Sequence, residues 1–232
     1  MIIGIVGGMG SYATVDFFKR IIDSFPAEKE WDRPRVIVDN YCTMPSRVRA
    51  ILYDERKDEL CECLAASVKM LIENNADRII LACNTSHVFL PEIYKLVPEC
   101  IGRVIDIIDS LAHELVVEKI NSVSLIASEG TIESGIYNKK LESRNIEIET
   151  PTLSQYENLR LFIESIKQNS LTDDIRHKFV DYVNDCTQEA VILGCTELPI
   201  LYSECLKLTG GVKKKIFDPL QSAIDVLHGE IY

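Results

Sequence analysis

The segment IILACNTSH, Ile79 to His87, is echoed by VILGCTELP at Val191 to Pro199. Cys83 and Cys195 thus stand in matched settings 195 − 83 = 112 residues apart. The match continues downstream, where RVIDIIDSLAHEL (Arg103 to Leu115) aligns with KIFDPLQSAIDVL (Lys215 to Leu227) at the same offset. Nearer the start, IGIVGGMGSYATVDFFKRI aligns with VSLIASEGTIESGIYNKKL, placing Gly10 on Gly130 and Phe17 on Tyr137 at an offset of 130 − 10 = 120. A chain built twice on one plan folds into two similar units, and each brings a glycine loop and a cysteine to equivalent places.

Short apolar runs rich in β-branched residues mark strands at 2–6, 35–38, 78–82, 103–107, 122–127, 146–149, 190–193 and 215–217. Between them the apolar residues recur at helical spacing, as in Leu60, Leu64, Val68, Leu71 and in Phe17, Ile21, Phe25. Strands alternating with helices of this length predict parallel sheets wound in right-handed βαβ units, with ligands at the carboxyl ends of the strands. The fold expected is therefore α/β: two pseudo-two-fold related domains, each a mainly parallel sheet flanked by helices, with the site in the cleft between them. Both cysteines end strands and face that cleft.

Two opposed thiols suit inversion of a carbon centre, which needs a base on one face and an acid on the other, with roles exchanged in reverse. A thiol titrating near ~8.5 can play either part once its surroundings lower that value, and the helix N-termini that follow the two strands are expected to do so. A different reading comes from Gly8-Met9-Gly10-Ser11-Tyr12-Ala13, which satisfies G-x-G-x-x-A after a strand, with Asp39 ending the next strand. Asp39 lies further on than the usual acidic partner, and a dinucleotide fingerprint leaves the repeated cysteines unexplained. A two-lobed binding protein without chemistry is a third reading, disfavoured by the presence of both thiols.

GIVGGMG, MPSR (Met44 to Arg47), ACNTSH, EGTIESGIY (Glu129 to Tyr137) and GCTELP occur in that order over essentially the whole chain. On these motifs the sequence resembles the aspartate/glutamate racemase family, cofactor-independent enzymes, and most nearly its aspartate racemase branch. The wider superfamily also holds maleate isomerases and decarboxylases; GGMG and GTIESGIY favour the racemases. The resemblance implies Cys83 and Cys195 as the catalytic acid and base. It implies Asn84, Thr85 and Thr196 around the substrate α-carboxylate, completed by Thr131 and the loop carrying Met9. Arg47 and Lys167 would grip the side-chain carboxylate, a planar group that a guanidinium fork recognises. Ser46 stands where the family has an aspartate, Ser11 where it has a proline, and Ala127-Ser128 in place of Ala-Thr.

Glu197 is a candidate for orienting a thiol or the substrate ammonium, and His87 for tuning Cys83. His113, His177 and His228 form no cluster, Cys61-Glu62-Cys63 is too tightly spaced for a zinc pair, and no metal is expected. Asp54 to Glu62 reads as a solvated helix face. The formal net charge of −11 argues against nucleic acid and anionic membrane as partners and favours a small anionic amino acid met by a few local cations. MIIGIVGGMG lacks the features of a secretory signal, no stretch has the length of a membrane span, and a cytoplasmic enzyme is expected. The repeat lets each unit complete the other's sheet, and the resemblance implies that the C-terminal segment returns to the first domain. This gives domains of 1–100 plus 209–232 and of 101–208, in a homodimer.

Overall fold

The computed structural model describes residues 1–209 and 212–231. In chain order the first half contains β1 (Ile2–Gly7), α1 (Ser11–Ser24), β2 (Arg35–Asn40), α2 (Arg47–Tyr53), α3 (Lys57–Glu73), β3 (Arg78–Leu81), α4 (Leu90–Leu96) and α5 (Ile107–Val117). The second contains β4 (Ser122–Ala127), α6 (Glu129–Ser134), α7 (Ile136–Glu142), β5 (Glu147–Glu149), α8 (Tyr156–Lys167), α9 (Asp173–Asn184), β6 (Ala190–Gly194), α10 (Leu198–Thr209), β7 (Lys215–Phe217) and α11 (Pro219–Ile231). Two all-parallel sheets result, ordered β2-β1-β3 and β5-β4-β6-β7. β1 and β3 of the first sheet and β4 and β6 of the second are buried, as expected of apolar runs covered by helices on both faces. On α3, Leu60, Leu64, Val68 and Leu71 form the buried stripe, while Asp58, Glu59 and Glu62 face solvent.

The run Arg103–Ile107 makes only a parallel bridge, Ile79 to Val104, rather than a full strand. Asp106 is the reason: its carboxylate accepts the main-chain N–H groups of Ile108 (3.0 Å) and Asp109 (3.2 Å), which starts α5 there. Asp218, its repeat partner, accepts from Leu220 N–H at 3.0 Å and opens α11 in the same way.

The two halves exchange helices rather than strands. Val104 extends the first sheet beside β3, and β7 extends the second beside β6, so each sheet is completed by its own half. The following helices change sides. Lys140 of α7 holds Asp106 at the head of α5 (2.6 Å), and Arg20 of α1 holds Asp218 at the head of α11 (2.7 Å). Val104 and residues 215–217 therefore sit with the sheet that precedes them in the chain. The crossing falls after each Asp, beyond residues 210 and 211, which lie outside the described residues.

Three apolar clusters follow from this arrangement. One belongs to the first half, around Leu64, Val68, Leu81 and Phe89, and one to the second, around Phe162, Phe179, Leu193 and Leu201. The third is shared: Ile5 and Phe17 pack with Leu125, Tyr137, Leu111 and Leu227.

Candidate active site

Cys83 follows β3 and Cys195 follows β6, and both thiols line one small cavity of about 60 Å³ between the halves. With them stand Met9, Ser46, Arg47, Asn84, Thr85 and Lys167. Thr196 and Glu197 complete the second half's contribution, so nine of the eleven residues named from sequence stand at the cavity wall, while His87 and Thr131 lie behind it.

The Cys83 turn is tied from the rear. Its carbonyl accepts from Ser86 Oγ (2.7 Å) and from the Nδ1–H of His87 (2.9 Å). Nε2 of the same ring faces the Ile107 N–H at 3.4 Å, which assigns the proton to Nδ1. Burial holds the His87 pKa below its ordinary value and keeps the ring neutral. His87 thus joins the thiol-bearing turn to the head of α5 and does not approach the thiol. A larger cavity, about 720 Å³, opens behind His87 between Tyr94 and Lys140, away from both thiols.

Side-chain hydroxyls cross the cleft. Thr85 Oγ1 meets Thr131 Oγ1 at 2.8 Å and Ser128 Oγ at 3.2 Å, and Ser128 meets Thr131 at 3.0 Å. Thr131 therefore supports Thr85 from the second half. Tyr137 donates its buried hydroxyl to Asn84 Oδ1, which fixes the amide and aims its N–H₂ group. Sequence reasoning missed Tyr137 and Ser128. The repeat did carry a signal for the tyrosine: it occupies the place of Phe17, and the added hydroxyl is what the second half contributes.

Arg47 is the first residue of α2, whose N-cap is Ser46; the Ser46 hydroxyl accepts from Arg49 N–H at 3.3 Å. The guanidinium is braced by the carbonyls of Met9 (2.8 Å) and Pro45 (3.1 Å). Gly8 shapes the loop that brings Met9 there: its φ is +81°, and a Cβ would lie 2.4 Å from the Tyr41 carbonyl carbon. Lys167 ends α8 with Nζ 3.2 Å from Glu164. Burial alone would lower the Lys167 pKa, but the negative charges of Glu197 and Glu164 raise it, so the ammonium is retained.

Glu197 is 2% exposed. Its Oε2 accepts from the Cys195 thiol at 3.0 Å and from Thr196 Oγ1 at 3.2 Å, while Oε1 is buried without a hydrogen-bond partner. Oε1 lies over Gly10, where a Cβ would come within 2.3 Å of it. Burial, then the Glu197 charge, pushes the Cys195 thiol well above its ordinary value. The expected lowering by a helix N-terminus is outweighed at this thiol, because α10 begins only at Leu198 and a carboxylate lies nearer. The carboxylate also places a negative charge over Gly10 of the G-x-G-x-x-A loop, which opposes a dinucleotide pyrophosphate there.

The cavity wall offers two thiols, hydroxyl and amide groups, and two cations. Residues 6–227 match the family model described as Asp/Glu/Hydantoin racemase. The chain is 27% identical over 213 residues to the glutamate racemase of Lactobacillus helveticus, covering 91% of this chain and 73% of that one. It is 28% identical to the broad specificity amino-acid racemase RacX of Bacillus subtilis, covering 84% and 85%. Among solved structures it is similar to Picrophilus torridus aspartate racemase, with a TM-score of 0.83, 27% identity and coverage of 99% and 93%.

Proposed function

The chain belongs to the Asp/Glu/hydantoin racemase family, and from that premise we propose that it interconverts the L and D forms of an acidic amino acid, aspartate or glutamate, by two-base proton transfer without a cofactor. The observation that carries this reading is the pair of thiols from equivalent strand ends on one small cavity.

Arg47 and Lys167 meet the side-chain carboxylate, with the guanidinium already braced by two carbonyls. Asn84, Thr85 and Thr196 surround the α-carboxylate. Deprotonation at the α-carbon moves charge onto that carboxylate, and donors set in place beforehand stabilise it; one such donor typically contributes about 2.7–4 kcal/mol. In one direction the Cys83 thiolate takes the α-proton and the Cys195 thiol returns a proton to the opposite face. The reverse direction exchanges the roles. Glu197, accepting from the Cys195 thiol, keeps that group protonated and ready to donate. The same reading takes the protein as a homodimer in the cytoplasm, where a thiol pair stays reduced.

Changing either cysteine to alanine should stop racemisation, yet the surviving thiol can still exchange the α-proton on its own face. In D₂O, Cys83→Ala should exchange one enantiomer and Cys195→Ala the other, each with retained configuration, as followed by proton NMR. Exchange of the same enantiomer by both variants, or racemisation at the wild-type rate by either, would rule out the two-thiol scheme.

A further inference from the structure

β2 is the outer strand of the first sheet and pairs on one side only, with β1. It is six residues long, Arg-Val-Ile-Val-Asp-Asn, whereas the corresponding outer strand of the second sheet, β5, has three. An uncovered edge of that length invites pairing with another chain unless something guards it. β5 is guarded. Antiparallel pairing with its own copy about Ile148 would set Glu147 against Glu149, and Pro151 follows. β2 has the opposite character. Pairing with its own copy about Ile37 sets Arg35 opposite Asp39 and Val36 opposite Val38, with Ile37 on the two-fold axis.

Side chains in an antiparallel pair keep the same face only when partner numbers add to an even total, so the two-fold can fall on residue 36, 37 or 38. Only the middle choice brings the opposite charges together and uses the strand over most of its length. Apolar side chains lie exposed on and beside the strand: Trp31 is 78% exposed, Ile22 37% and Val38 37%. A cavity of about 440 Å³, lined by Ile22, Trp31, Pro34 and Val36 among others, opens along the start of β2.

We infer that β2 is the homodimer interface, joining two copies through an antiparallel pair centred on Ile37, in which Arg35 meets Asp39 of the partner subunit. The two three-stranded sheets become one six-stranded sheet across the two-fold axis, and the apolar side chains of α1 and Trp31 flank the seam. This deepens the homodimer reading above by placing its interface, and the two are separable by experiment.

The test is sedimentation velocity on the full-length chain over a range of concentrations, with circular dichroism to verify folding. The wild type is expected at twice 26.3 kDa. Arg35→Asp and Asp39→Arg each place like charges across the seam and should shift the population to monomer. The double variant Arg35→Asp/Asp39→Arg restores the complement and should return the dimer. Glu147→Arg, on β5, should leave the mass unchanged. A wild-type monomer at all concentrations overturns both the homodimer and its interface. A dimer indifferent to the single charge changes, or a folded double variant that stays monomeric, overturns the interface alone. Should a variant fail to fold, amide hydrogen exchange of the wild type decides: protection of residues 35–40 that rises with protein concentration supports the pairing, and exchange independent of concentration overturns it.

Discussion

Glu197 connects three features of the site that the sequence presented separately. Its Oε2 accepts a hydrogen bond from the Cys195 thiol, its Oε1 lies over Gly10, and its charge helps retain the Lys167 ammonium. Burial and this carboxylate both favour the neutral Cys195 thiol. Removing the charge with Glu197→Gln should therefore lower the thiol pKa, and the pH curve for alkylation of Cys195 by iodoacetamide, followed by peptide mass spectrometry, should move to lower pH. An unmoved curve would mean that burial alone sets the value. The repeat points to the two thiols and the family motifs to Arg47 and Asn84, and all four line the one cavity. The state of Cys195 could not be read from the sequence, because it depends on the spacing between a thiol and a carboxylate side chain. Tyr137 escaped for a related reason: it sits in a helical apolar pattern, and only its packing brings the hydroxyl to Asn84.

At the scale of elements, the apolar periodicities located every strand of both sheets, and Ser122–Ala127 and Lys215–Phe217 match to the residue. The run 103–107 was overread because its β-branched residues continue past the point where Asp106 turns the chain into α5. Hydrophobic pattern alone does not register a cap. The repeated Asp is thus a helix start in both halves, held by Lys140 in one and Arg20 in the other. Asp106→Ala and Asp218→Ala should each lower stability by about 1 kcal/mol through the lost cap, with further loss from the broken ion pair. Urea titration should show lower midpoints with unchanged slope. No loss in either variant would show that the caps are dispensable once the helices are packed.

For the whole molecule, the shared cluster matters more than the two private ones. Ile5 and Phe17 of the first half, Leu125 and Tyr137 of the second, and Leu111 and Leu227 of the exchanged helices bury one another. Neither half keeps its whole core if the other unfolds. Thermal unfolding should then be one cooperative transition, with calorimetric and van't Hoff enthalpies in agreement; two resolved transitions would show that the halves melt separately. The exchange of α5 and α11 has a further consequence for any attempt to divide the chain. A cut in the turn between α5 and β4 follows the repeat in the sequence but leaves each fragment holding the outer helix of the other. The pieces would be obligate complements, functioning as a reconstituted pair and not as two miniature proteins.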